Sequence, residues 1–172
     1  MFFSKRRIIL LGVISALAIT IIFLPRIQYY VSAPDVGAID FKLANITLNN
    51  ISNDTNNVEL LLSFNVYNPS DKTATTSKVE YDLFGNDEFL GHGILSYEDI
   101  PLNGRPQFSP EQTTTLKSSI ILQPTNSNLK LIEGILKHSS ILVDDDINWK
   151  VNGTSQIESA FVIIEKKFNS RL

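Results

Sequence analysis

Val58-Glu59-Leu60-Leu61-Leu62-Ser63-Phe64-Asn65-Val66 decides the fold. Val58, Leu60, Leu62, Phe64 and Val66 fall at every second position, the period of a strand with one buried face. Tyr67-Asn68-Pro69-Ser70-Asp71 then stops the strand. The residue before a proline is held extended, and Ser and Asp close a turn.

Similar patterns lie on both sides. Upstream, Ile39, Phe41 and Leu43, then Ile46 and Leu48, predict a strand with an irregularity near Asn45, and Leu48 to Asn57 reads as a polar loop. Downstream, Val79, Tyr81 and Leu83 oppose Lys78, Glu80 and Asp82, as in a half-buried antiparallel strand. Gly85-Asn86-Asp87 predicts a turn, and Phe89 to Leu95 its hairpin partner; Gly91 and Gly93 around His92 predict a bulge or bend. Tyr97 to Glu111, with Pro101, Gly104, Pro106 and Pro110, reads as a loop, and Thr113 to Leu122 as a strand. Ser127-Asn128 can cap a helix from Leu129, with Leu129, Ile132 and Leu136 on one face, Ile135 alongside, and Lys137 and His138 at its end. Ile147, Trp149 and Val151 open another strand, Asn152-Gly153 reads as a hairpin turn, and Ile157 to Phe168 as the last strand. The expectation is an all-β domain over residues 38–172: an antiparallel β-sandwich of about seven strands with one added helix.

A different segment precedes this domain. Ile8 to Leu24 carries no charged residue and directly follows Lys5, Arg6 and Arg7. At ~1.5 Å per residue the run covers about 26 Å, near the lower limit for a hydrocarbon core of about 30 Å. Ile27, Tyr29, Tyr30 and Val31 extend it, Arg26 can snorkel, and the tyrosines suit an interfacial belt. Pro25 is expected to end or kink the helix. Residues 1–7 therefore read as a basic cytoplasmic tail, 8–31 as a transmembrane signal-anchor and 32–37 as a linker. The positive-inside bias puts the domain outside the cytoplasm, on a single-pass cell-membrane protein. A cleaved signal peptide reads less well: Val31-Ser32-Ala33 resembles a cleavage site, but Pro34 would follow the cut and the apolar stretch exceeds a signal-peptide core.

Composition narrows the function. The first 34 residues hold four basic side chains and no acidic one, so the remainder carries 11 Lys and Arg against 18 Asp and Glu, a net of −7. That balance argues against nucleic-acid binding and against adhesion to anionic headgroups. Without cysteine there is no disulfide, thiol nucleophile or zinc-thiolate site.

No catalytic constellation stands out. His92 and His138 lie far apart and fit neither zinc nor triad spacing. Asp144-Asp145-Asp146 with Asn148 suggests calcium, but an EF-hand loop starting at Asp144 would need glycine at Trp149 and glutamate at Ser155. Trp149 reads as core packing with its N–H bonded, and Tyr67 and Tyr97 as rim or core. Asn45, Asn50, Asn53 and Asn152 each open an Asn-x-Ser/Thr glycosylation acceptor, which would make the chain a glycoprotein; Asn68 is disqualified by Pro69. No cofactor or metal is expected.

Leu60 to Ser70, with its Asn68-Pro69 turn, resembles the hallmark strand and turn of the group-2 late embryogenesis abundant family, also called water-stress and hypersensitive-response domains. Val79 to Gly85, then Leu90-Gly91-His92-Gly93, resemble that family's next hairpin, and Trp149 to Thr154 its closing strand. The resemblance implies an immunoglobulin- or fibronectin-III-like sandwich with one helix, no enzyme activity, and an association with desiccation and stress responses. The expected function is a membrane-anchored, extracytoplasmic protective or binding module with a protein, glycan or lipid partner. The alternatives are an accessory subunit of a cell-envelope complex, joined through an exposed edge strand, and a lipid-binding domain with a cavity between its sheets. If there is a site, Tyr97 to Glu111 and the strand ends around Asn68 are where loops on a scaffold would carry it.

Overall fold

The computed structural model describes residues 5–32, 38–52, 57–125, 128–137, 147–159 and 162–172. It begins with helix α1 (Lys5–Ser32), followed by strands β1 (Asp40–Ser52), β2 (Asn57–Asn68), β3 (Ala74–Gly85), β4 (Glu88–Ser96), β5 (Gln107–Phe108) and β6 (Gln112–Leu122). Helix α2 (Leu129–Lys137) and strands β7 (Trp149–Ser159) and β8 (Val162–Arg171) complete it. All pairing is antiparallel. One sheet has the order β1-β2-β6 and the other β4-β3-β7-β8, with β5 beside β3. The expected all-β sandwich with one added helix is therefore present, with eight strands among the described residues.

The alternation that opened the sequence becomes the core. Val58, Leu60, Leu62, Phe64 and Val66 are fully buried on the inner face of central strand β2. Val79, Tyr81 and Leu83 from β3, and Val151 and Ile157 from β7, meet them. Burying such a side chain stabilises by about 1.5–3 kcal/mol before entropy is counted. Asn86 and Asp87 both take positive φ, as a two-residue hairpin turn requires, and Asn tolerates this better than most residues. Ile132 and Ile135 are the buried residues of α2, and the Leu136 side chain lies outside the described set.

Four expectations need correction. First, β1 continues to Ser52 and β2 starts at Asn57, so most of the supposed loop is paired strand; residues 53–56 lie outside the described set. The register slips between Leu43 and Asn45, as expected, and again between Leu48 and Asn50. Second, of the two outcomes expected at Pro25, an end or a kink, the helix does not end there: α1 runs on to Ser32. Third, Asn152-Gly153 is the middle of β7, not a turn. The chain reverses between β7 and β8, so Ile157 belongs to the earlier strand. Fourth, the Trp149 ring is 1% exposed, but its N–H has no partner among the described residues, because the ring is packed in the apolar cluster.

Gly153 is needed for close approach rather than for a turn. A Cβ there would sit 2.4 Å from Phe168 Cζ and 2.6 Å from the Glu80 carbonyl oxygen. Gly93 plays the same part on the other side of Tyr81, where a Cβ would lie 2.2 Å from Tyr81 Cζ. One cross-strand row thus reads Gly93, Tyr81, Gly153, Phe168, with each ring resting on a bare glycine. Phe168 then stacks on Phe41 (4.8 Å between centroids), and Phe64 tilts against Tyr81 (5.0 Å).

Tyr81 also ties the sheets together: its buried hydroxyl donates to Ser118 Oγ of β6 at 2.8 Å. Burial pushes this phenol above its ordinary 10.0, while the Ser118 bond pulls the other way. A raised folded pKa means that this stability is complete below the unfolded value and is lost as pH rises through the folded one. Melting temperature measured against pH should therefore start to fall near pH 10, with a shallower fall in Tyr81→Phe.

Candidate functional site

The end of the sandwich where β2 passes into β3 is organised by Asn68, which is fully buried. Its Nδ2 donates to the carbonyls of Lys72 and Phe108, both at 2.8 Å. Its Oδ1 accepts from Ser70 N (3.1 Å) and Ser70 Oγ (2.7 Å). Its own carbonyl accepts from Glu111 N at 2.8 Å. The side-chain amide thus holds the Asn-Pro turn and β5 with all its hydrogen-bonding capacity used, and the backbone carbonyl holds the turn into β6. Pro69 keeps the preceding residue extended, which suits the last position of a strand.

The loop Tyr97 to Pro106 lies at the same end. Tyr97 N donates to Ser77 O (2.7 Å) and Thr76 N to Pro106 O (3.3 Å). Arg105 holds the loop in shape: Nη1 donates to both carboxylate oxygens of Glu158 (2.7 and 2.8 Å), Nε to Ile100 O (2.8 Å) and Nη2 to Glu98 O (3.2 Å). The two charged side chains are only 15% and 17% exposed, so loss of either would strand its partner in a partly dry setting. Beside them lies a cavity of about 360 Å³ lined by Thr75, Leu102, Asn103, Gln107 and Glu158, among others.

The outer face of the larger sheet offers the second region. An open groove of about 470 Å³ crosses it, lined by Asp82, His92, Asn152, Thr154, Lys167 and Asn169 together with the edges of Tyr81 and Phe168. Asp82 Oδ1 and His92 Nδ1 are 2.9 Å apart across β3 and β4. Both are about half exposed, so this pair contributes little to stability. Asn169 donates to Asn152 Oδ1 across β7 and β8. This is a polar ladder on a solvated sheet, able to hydrogen-bond a ligand but holding no arrangement of nucleophile, base and orienting group.

The remaining expected site residues are dispersed. Asn45 is exposed beside the first β1 bulge, and Asn50 is exposed with its Oδ1 accepting from Ile51 N at 2.8 Å. Asn152 stands in a central strand, and Asn53 lies outside the described residues. His138 and Asp144 to Asp146 also lie outside them, and no group of three metal-ligating side chains occurs among the described residues. Sequence reasoning missed Arg105 and Glu158, which stand 53 positions apart with no periodic pattern to join them.

Helix α1 is of a different kind. Every side chain described from Ile9 to Ile27 is exposed, and an 18-residue window within Lys5–Ile27 has a mean hydropathy of 2.7. By length and composition it can cross a membrane.

No family model and no curated protein matches this chain. Among solved structures it is similar to an Arabidopsis thaliana protein (17% identity, 81% of this chain and 87% of that one, TM-score 0.48). A protein from Archaeoglobus fulgidus is also similar (17%, 76% and 94%, 0.43). So is a candidate late embryogenesis abundant protein (11%, 94% and 84%, 0.33). All three scores are below 0.5, so the sandwich described above rests on its own strand pairing.

Proposed function

We propose that this chain is a membrane-anchored, non-catalytic β-sandwich protein whose domain stands outside the cytoplasm and protects against drying and related stress. The observation that carries the anchor is α1, whose apolar run is exposed at every described side chain, together with a domain whose core closes without it. Lys5, Arg6 and Arg7 before the apolar run, against Arg26 alone after it, favour a cytoplasmic N-terminus. The protective role is what the resemblance in Leu60 to Ser70 and the following hairpin implies. Between the sheets, the rings of Phe41, Phe64, Tyr81 and Phe168 fill the space a lipid would need, which weighs against the lipid-binding alternative.

In cells producing the full chain, the protein should stay with membranes through high salt and leave them only with detergent. External protease should digest the domain and spare the N-terminal tail. A mature chain beginning near Ala33 would instead make the helix a cleaved signal and the domain a secreted one. For the protective role, a drying-sensitive enzyme should keep more activity after desiccation with the protein than with an equal mass of albumin. Equal activity would leave the anchor standing and remove the protective role.

A further inference from the structure

We infer that the tip Ile100-Pro101-Leu102 is a membrane contact that seats the domain on the outer lipid surface. The inference rests on the anchor reading. β1 starts at Asp40, opposite Tyr67 at the end of β2, and the tip lies at this same end of the sandwich. From Ser32, the end of α1, to Asp40 the chain can span at most about 28 Å. The tether therefore brings this end of the domain, rather than the end carrying the β3–β4 turn, toward the bilayer.

The chemistry of the tip suits that position. Leu102 is 54% exposed and Ile100 38%; Ile163, 65% exposed, stands opposite Glu158 in the β7–β8 pair. A mobile loop could fold such side chains inward. This one is pinned by Arg105 through two loop carbonyls and the Glu158 carboxylate, so the apolar groups are presented in a preformed shape. Tyr67, 42% exposed, stands at the same end with the amphipathic ring that interfaces favour. Glu98 and Asp99, exposed beside the tip, commit the contact to a neutral, zwitterionic lipid surface. The far end also exposes Phe89, Ile121 and Leu129, but no tether holds it near the membrane.

The chain has no cysteine, so single labels are clean. Full-length Ile19→Cys, Leu102→Cys and Glu88→Cys, each carrying an environment-sensitive fluorophore, would be reconstituted in phosphatidylcholine vesicles with or without brominated acyl chains. Bromine should remove most of the emission at 19 and 102 and leave that at 88 unchanged. Quenching at 19 but not at 102 overturns the contact and leaves the anchor intact. Lack of quenching at 19 overturns the anchor and the contact with it. Equal quenching at 88 and 102 also overturns it, because the domain would then adhere without a preferred end. Ile163→Cys, at an exposed position near the tip, repeats the test should Leu102→Cys fold poorly.

Discussion

Gly153→Val should strongly destabilise the domain. The added carbons would enter space held by the Phe168 ring and, on the other side, by the backbone oxygen of Glu80. A ring can shift; a strand carbonyl bonded into a sheet has little room. Moving Phe168 would also break its stack on Phe41 and its edge contact with Phe64. Overpacking a filled core costs typically 1–3 kcal/mol, and a fixed carbonyl beside a ring that can shift only by losing its contacts places this case at about 3 kcal/mol. For a domain of this size that lowers the melting temperature by about 10 °C. Circular dichroism during heating measures it. Gly134→Ala in α2, where the added methyl meets nothing within 4 Å, is the control and should gain up to about 1 kcal/mol. A Gly153→Val protein that melts with the parent would mean that Phe168 does not lie on this strand.

Asn68→Ala should be nearly as damaging, although it removes only four atoms from a turn. The lost amide strands the buried Phe108 carbonyl and removes the acceptor of Ser70 N, while the half-buried Lys72 carbonyl keeps Ser70 Oγ as its donor at 3.0 Å. Each stranded buried group costs about 1–3 kcal/mol, and with partial relaxation the sum should be about 3 kcal/mol. Asn68→Asp preserves the shape but turns an acceptor toward two carbonyl oxygens, so it should be no better than alanine. Pro69→Ala leaves the amide network in place and should cost less than either. Chemical denaturation of the three variants, with midpoints compared at constant slope, gives the ranking. If Asn68→Asp matched the parent, the network would not be holding the turn.

What could be read from the chain divides along physical lines. β2 was legible because five apolar residues at period two admit one strand and one buried face. Asn86-Asp87 was legible because a short turn needs residues that accept positive φ. Asn152-Gly153 misled because the same dipeptide serves two needs: left-handed backbone in a turn, or a bare floor for a ring. Only the long-range contact with Phe168 tells them apart. Leu48 to Ser52 looked like a loop because β1 is polar there and slips register, yet β2 still supplies its backbone partners. The candidate regions were half visible. Asn68-Pro69 and the loop from Tyr97 were marked by proline and turn chemistry, whereas Arg105 with Glu158 and Asp82 with His92 meet only once the sheets have formed.

The two register slips in β1 have a further consequence. β1 is the outermost strand of its sheet, with β2 on one flank and, on the other, β8 covering only its first half, where Leu43 N donates to Ser170 Oγ at 2.8 Å. A regular outer strand of that length would template the same strand in a neighbouring copy. Copies confined to one surface, as proposed, meet far more often than copies free in solution. The extra residues at Ala44 and Asn49 break the hydrogen-bond repeat into short pieces that a second, equally interrupted strand cannot match. The irregularities thus make β1 a poor template for another strand.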